Sequence, residues 1–152
     1  MLFRSTNNST AGNGGGIYNE GTLTLSGGNI INNTAGCNGG GVYSNYVNAN
    51  SRFNLSGGPA INNNKSGDSD ALVDDNIYLK DMKITLNGEL TNTTPIGISM
   101  YNAGIFTSGL NTNGAITNFI ADNSLFKIIE NNGEAQIDDR LIYVVWCNNK
   151  KL

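Results

Sequence analysis

The acidic residues most closely spaced along this chain are four aspartates in one polar segment, Asp68, Asp70, Asp74 and Asp75. Carboxylate oxygens are preferred ligands of Ca²⁺, so the segment is a candidate calcium site. A pair of carboxyl groups can also catalyse glycoside hydrolysis, provided that a rigid wall holds the two groups about 5–10 Å apart. Because the four residues interrupt an otherwise regular pattern, a solvated acidic loop is the simpler interpretation.

Other residue types used in catalysis are scarce. The chain has no histidine, which removes the common general base, the Ser–His and Cys–His pairs and most zinc sites. Residues 12–16 read GNGGG, but no helical pattern follows them and no Lys-Ser/Thr pair completes a phosphate-binding loop. We therefore expect no catalytic residues, no enzyme activity and no cofactor beyond the calcium ion considered above.

Three tyrosines, Tyr18, Tyr43 and Tyr78, each follow an isoleucine or valine in similar surroundings. Their recurrence predicts an aromatic ladder on the outside of the fold. Two roles remain open for it: the rings stack only on one another and protect an edge, or they form a stripe that binds sugars or a protein partner.

The tyrosines belong to a repeat. GGGIY at residues 14–18 returns as GGGVY at 39–43, LTLSGG at 23–28 as FNLSGG at 53–58, and IINN at 30–33 as AINN at 60–63. The spacing is 25 residues where it is uninterrupted. Insertions near 45–50 and 65–75 leave the phase unchanged, which is typical of stacked repeats.

Each repeat predicts three extended segments separated by Gly and Asn corners, since both residue types tolerate φ > 0. Alternation in TLTLS places Leu23 and Leu25 on one face. Parallel stacking of repeats, about 4.8 Å apart, would form the core and allow asparagines to make amide ladders. The apolar side chains of one repeat are predicted to point inward and to pack on those of the repeat before it. The second repeat contributes Val42, Phe53, Leu55 and Ile61, and the first contributes Ile17, Leu23, Leu25 and Ile30 or Ile31.

GGGIY, LTLSGG and IINNTA together resemble the repeats of bacterial right-handed parallel β-helix surface proteins. These include adhesin-like proteins and, more distantly, polymorphic outer-membrane proteins with GGA[ILV] and FxxN repeats. The triplets match GGA[ILV] loosely, and Phe53-Asn54-Leu55-Ser56 departs from FxxN. The resemblance implies an all-β fold, a right-handed parallel β-helix (solenoid) of about three to four rungs over residues 1–92.

Residues 93–152 depart from the repeat. We expect irregular final strands, a hairpin around Asn131-Asn132-Gly133, and an apolar strand at 141–146, together forming an antiparallel C-terminal cap. No comparable cap precedes the first rung. The chain is therefore expected to be the C-terminal part of a longer protein, whose uncapped N-terminal rung could self-associate end to end.

The composition of the chain argues against two classes of function, nucleic-acid binding and membrane insertion. Asn (27) and Gly (20) make up close to a third of the 152 residues, and the net charge is −3. Without a basic patch we expect no nucleic-acid partner, and without about 18 consecutive apolar residues we expect no membrane insertion. No signal peptide is visible. Cys37 and Cys147 are expected to be reduced, with a disulfide left open.

The expected function is a non-catalytic structural or adhesive module. The resemblance implies the C-terminal part of a bacterial cell-surface β-helix protein that presents a repetitive surface to glycans or to host or matrix proteins. It implies a location at the cell surface, or secreted as part of a longer chain. The alternative is a fragment of a carbohydrate-active protein, similar to β-helical polysaccharide lyases and hydrolases, with catalytic rungs upstream.

Overall fold

The strands of this all-β chain are short and mostly parallel. A computed structural model describes residues 3–109 and 115–138, and one 3-10 helix, at Ala115–Asn118, lies among them. The first nine strands are β1 Arg4–Thr6, β2 Ser9–Thr10, β3 Ile17–Asn19, β4 Thr22–Leu25, β5 Asn29–Ile31, β6 Thr34–Ala35, β7 Val42–Asn45, β8 Arg52–Gly57 and β9 Ala60–Asn62. The others are β10 Lys65–Ser66, β11 Val73–Asp74, β12 Ile77–Lys80, β13 Ile84–Leu90, β14 Ile96–Met100, β15 Thr107–Ser108, β16 Phe119–Ala121, β17 Lys127–Asn131 and β18 Glu134–Asp138.

From β1 to β13 the chain passes repeatedly through four sheets in the order A, B, C, D. Sheet A contains β1, β5 and β9; sheet B contains β2, β6, β10 and β11; sheet C contains β3, β7, β12, β14 and β16; sheet D contains β4, β8, β13 and β15. We define three layers as β1–β4, β5–β8 and β9–β13, and strands of successive layers pair in parallel. The prediction of three segments per repeat was wrong, because two-residue strands such as Thr34–Ala35 are too short to show alternation.

The predicted stacking of apolar residues is confirmed by the strand register. Each apolar residue of the first layer lies beside its counterpart of the second, in the pairs Ile17–Val42, Leu23–Phe53, Leu25–Leu55 and Ile30–Ile61. Ile30 is buried and Ile31 half-buried, so Ile30 is the inward residue. These side chains form one apolar cluster that continues through Ile77 and Ile84 to Ile98.

The two insertions behave differently. Residues 46–51 form a corner loop between β7 and β8 that exposes Tyr46 and Val47. The second insertion is not a simple loop: β10 and β11 pair antiparallel, with Lys65 opposite Asp74 and Ser66 opposite Val73. This hairpin adds an antiparallel strand to sheet B.

The glycine triplets are required by close approach between layers. Gly14 and Gly39 have φ values of 71° and 66°, which favour glycine. At the second position the neighbouring backbone leaves no space, since a Cβ at Gly40 would overlap the Lys65 carbonyl group. The first glycine of each triplet is thus favoured by its backbone conformation, and the second is required by close packing between layers.

The parallel strands end against an antiparallel hairpin. β17 and β18 pair as the sequence predicts, around Asn132 and Gly133, which both have positive φ. The β18 residues Ala135 and Ile137 are buried in the apolar cluster, and the Phe106 N–H donates to the Ala135 carbonyl at 2.9 Å. The predicted strand at 141–146 lies outside the described residues.

Cys37 lies in the bend after β6 and is disulfide-bonded. This differs from the expectation of reduced cysteines for Cys37. Cys147 lies outside the described residues.

We predict that Gly40→Ala lowers the free energy of unfolding by about 2 kcal/mol or more, because overpacking against a fixed backbone costs about 1–3 kcal/mol. Gly27→Ala is the matched control, since a Cβ there meets nothing within 4 Å and the φ is not positive. We expect the control to be neutral or slightly stabilising. Urea unfolding of both variants measures the difference, and equal stabilities would contradict the close-approach explanation.

Candidate ligand-binding site

The three tyrosines form a ladder on sheet C. Tyr18 pairs with Tyr43 and Tyr43 with Tyr78 in the strand register. The ring centroids are 5.2 Å apart for Tyr18–Tyr43 and 5.7 Å apart for Tyr43–Tyr78, with interplanar angles of 16° and 7°. The predicted ladder is therefore present.

The stacking limits what the ladder can bind. Both faces of the Tyr43 ring are covered by its neighbours, and this side chain is only 5% exposed. Tyr18 is 52% exposed and lies on β3, the last strand of sheet C. Its hydroxyl donates to Glu20 Oε1 at 2.6 Å, which raises the pKa of Tyr18 to about 12. An open ring face for a ligand is thus found at Tyr18.

The four aspartates of the second insertion do not act as one group. Asp68 and Asp70 are exposed in the turn between β10 and β11. Asp74 forms an exposed ion pair with Lys65, in which Nζ and Oδ1 are 2.8 Å apart. Asp75 is buried. Across residues 3–109 and 115–138, no group of three or more His, Cys, Asp or Glu residues is arranged to hold a metal ion.

Asp75 is a buried carboxyl with one free oxygen. Its Oδ2 accepts from the Gly39 N–H at 2.7 Å and from the Ser66 hydroxyl at 2.8 Å, whereas Oδ1 has no hydrogen-bond partner. The Ser99 hydroxyl lies near enough to favour the ionised form, but it makes no hydrogen bond of ordinary geometry to Oδ1. Burial dominates and raises the pKa of Asp75 to about 6.

A second carboxyl, the half-buried Asp122, lies at the end of an asparagine ladder. The asparagines Asn8, Asn33, Asn64 and Asn76 each donate two hydrogen bonds, from the backbone N–H and from Nδ2, to the next member. Both hydrogen bonds donated by Asn8, by Asn33 or by Asn64 end on the same atom, the Oδ1 of the next asparagine, at 2.9–3.1 Å. The second Nδ2 hydrogen of Asn33 and Asn64 goes to a backbone carbonyl. The amide ladder expected from the sequence is therefore present and fully hydrogen-bonded at Asn33 and Asn64.

Asp122 replaces the next asparagine of this ladder. Its two carboxylate oxygens accept from the Asn76 N–H and from Nδ2, each at 2.7 Å. Burial, together with the negative charges of Asp75 and Asp74, raises the pKa of Asp122 to about 7, although the Asn76 bonds oppose that shift. Neither Asp75 nor Asp122 has an ion-pair partner among the described residues.

The sequence pattern did not reveal Asp122. The ladder spacing is 25 residues from Asn8 to Asn33 but 12 from Asn64 to Asn76 and 46 from Asn76 to Asp122. A search for a fixed period therefore stops before the residue. The one residue type in the sequence that reflects the position of Asp122 is the glycine at Gly97, because a Cβ there would collide with the Asp122 carboxylate.

Both carboxyls line one cavity of about 440 Å³. The cavity lies between the β10–β11 hairpin, strands β12 and β14, and the loop after β16. Polar lining residues include Lys65, Ser66, Asp74, Asp75 and Asp122, and apolar ones include Leu72, Ile98, Met100 and Phe126. Its volume is in the range of small-molecule sites, about 300–1,000 Å³.

Comparisons with protein-family models, with curated proteins and with solved structures give no match for this chain. In the described part of the chain, no helix is long and apolar enough to cross a membrane.

We predict that the two carboxyls make the protein less stable as pH rises. Their folded pKa values of about 6 and about 7 lie above the unfolded value of about 3.9. The folded state therefore binds protons more tightly, and this stabilisation, complete below about pH 4, is lost as pH rises through both values. The slope can reach about 1.4 kcal/mol per pH unit for each carboxyl.

Urea unfolding at pH 5, 6, 7 and 8 measures this decline. Asp122→Asn keeps an acceptor for Asn76 and removes the charge, so its stability should fall less steeply. The exposed Asp70→Asn variant is the matched control and should follow the wild type. Parallel pH dependences for wild type and Asp122→Asn would contradict the assignment.

Proposed function

We propose that this chain is a right-handed parallel β-helix module with a structural or adhesive, non-catalytic role at a bacterial cell surface. The observation that carries the proposal is the stacking of like side chains in successive layers, such as Tyr18, Tyr43 and Tyr78. Side chains repeated at the layer spacing suit a ligand that is itself extended and repetitive. Parallel β-strand connections are nearly always right-handed, which supports the handedness.

The ligands that fit this proposal are glycans or host or matrix proteins. Tyr18 offers the open aromatic face, and aromatic faces bind the apolar sides of sugars and protein groups. Glu20 accepts from the Tyr18 hydroxyl and from Asn45 Nδ2, at 3.2 Å, so the ring is held in place at the surface. A preorganised ring loses little conformational freedom on binding.

Binding to a glycan array and to immobilised matrix proteins tests the adhesive role. We expect Tyr18→Ala to weaken the strongest interaction five- to tenfold, because one stacked aromatic contact contributes about 0.5–1.5 kcal/mol. Tyr46→Ala, which removes an exposed tyrosine from the corner loop, is the matched control and should bind normally. No binding in either panel, or equal binding by both variants, would contradict the proposal.

The second candidate is a carbohydrate-active protein, favoured by two carboxyls at one cavity, the buried Asp75 and the half-buried Asp122. Against it, both oxygens of Asp122 already accept hydrogen bonds from Asn76, so a role as proton donor to a substrate would disrupt the ladder. A polysaccharide depolymerisation assay on the same preparation decides between the two. Release of reducing or unsaturated ends that is lost in Asp75→Asn would establish the enzyme and overturn the non-catalytic role.

The proposal includes end-to-end self-association through the first layer. Strands β1, β2, β3 and β4 are the end strands of sheets A, B, C and D, and each has one side unpaired by the described residues. Such edges favour pairing with another chain. Sedimentation velocity at increasing concentration should show dimers or longer species, and a concentration-independent monomer would contradict this part of the proposal.

A further inference from the structure

The free oxygen of Asp75 is one of two buried side-chain oxygens that lack a hydrogen-bond partner among the described residues, the other being Asn92 Oδ1. Asp75 is 3% exposed, its Oδ1 has no hydrogen-bond partner, and the side chain lines the cavity of about 440 Å³. A buried acceptor without a donor loses the free energy of its hydration without compensation, and the loss is larger when the acceptor is charged. A ligand that supplies a donor inside the cavity would recover this energy.

The charges around the cavity favour a cationic donor. The charged or titratable lining residues are Lys65, Asp74, Asp75, Tyr78 and Asp122. Lys65 is paired with Asp74, and both of these side chains are about half exposed. The inner carboxyls Asp75 and Asp122 are therefore left with like charges that repel one another. A cation between them would relieve that repulsion and replace part of the lost hydration.

The walls favour an organic cation over a metal ion. Ile98 is buried, Met100 and Phe126 are half-buried, and all three line the cavity beside the carboxyls. A hard metal ion would need six or more oxygen ligands, and among the described residues no three His, Cys, Asp or Glu side chains are arranged to hold one. An apolar body attached to the cation would instead cover these side chains.

We propose that the cavity binds a small organic ammonium ion, whose N–H donates to Asp75 Oδ1, whose charge lies near Asp122, and whose apolar body contacts Ile98, Met100 and Phe126. The site adjoins the tyrosine ladder at Tyr78, which lines the cavity, but the proposal does not rest on the adhesive role. It explains why the ladder ends in a carboxyl, since an asparagine would accept from Asn76 without the cost of burying a charge.

Ligand binding should depend on pH in a defined direction. With carboxyl pKa values of about 6 and about 7, both groups are mostly ionised at pH 8 and mostly protonated at pH 5. Protonation removes the negative charge that attracts the ammonium ion. Asp74, ion-paired with Lys65, is not expected to change this trend, and Tyr78, whose pKa is raised by burial, stays neutral throughout.

Isothermal titration calorimetry with benzylamine, benzyl alcohol and CaCl₂ tests the proposal on the full chain. At pH 8 we expect benzylamine to bind at least tenfold more tightly than benzyl alcohol, its neutral analogue. The benzylamine affinity should fall at least tenfold at pH 5. Undetectable binding at millimolar benzylamine, equal affinity for the alcohol, or displacement of benzylamine by Ca²⁺ would overturn the proposal.

Variants assign the binding to the two carboxyls. Asp75→Asn and Asp122→Asn should each weaken benzylamine binding at least tenfold, whereas Asp70→Asn, in the exposed turn, should bind as the wild type does. Circular dichroism and thermal melting establish that each variant is folded. Unchanged binding by folded Asp75→Asn would overturn the proposal.

A measurement on the wild-type protein does not depend on variant folding. Carbon-13 NMR titration of the aspartate carboxyls, with and without benzylamine, reports the pKa of each group directly. Benzylamine should lower the pKa of Asp75 and of Asp122. Unaltered titration of both Asp75 and Asp122 in saturating benzylamine would exclude this site.

Discussion

Hydrogen bonding between buried asparagine amides constrains the alignment of every layer in this protein. Asn33 and Asn64 are fully buried, and each amide has all of its donors and its Oδ1 acceptor used. A shift of one layer by one residue would leave several of these groups unsatisfied, at about 1–3 kcal/mol each. The apolar residues tolerate small displacements far better, so the amides fix the register and the apolar cluster supplies the bulk of the burial.

The glycines follow from the same constraint. A Cβ at Gly16 or Gly41 would press on the amide of Asn33 or Asn64, and one at Gly97 would collide with Asp122. The residues before the ladder asparagines, Asn32 and Asn63, have φ values of 59° and 56° and turn the chain so that the amides point inward. Glycine and asparagine are thus abundant for complementary reasons. Glycine has no side chain and leaves room between the layers, and the asparagine amide occupies that room.

Much of this architecture could be predicted from the sequence because its causes are local and periodic. The all-β class, the stacked pairs such as Leu25–Leu55, the tyrosine ladder and the hairpin at Asn132-Gly133 all depend on residues that recur at a fixed spacing or on short turn signals. The strands β2, β6 and β10 could not be predicted, since a two-residue strand has no period. The hairpin of the second insertion was missed because its pairing is a property of the neighbouring strand, not of its own sequence.

The cavity was beyond sequence reasoning for a different reason. The acidic segment drew attention to Asp68, Asp70, Asp74 and Asp75 together, but the backbone turns Asp75 inward and leaves the other three outside. Its partner Asp122 is 47 residues away in sequence and belongs to no repeated motif. Two carboxyls become neighbours only because the ladder that begins at Asn8 continues past Asn76. The site is negatively charged because the tertiary fold brings two distant carboxyls together, which the composition of the chain does not reveal.

The asparagine ladder also has a direction, because every bond from Asn8 onward runs from donor to acceptor towards Asp122. A carboxylate has no N–H to donate, so Asp122 is a terminator of the array. For protein engineering, this direction means that repeats can be added before Asp122 but not after it. Copies of the 25-residue unit can be inserted between Asn8 and Asn33, where each new asparagine accepts from one neighbour and donates to the other. Units added after Asp122 would meet an acceptor where the ladder requires a donor.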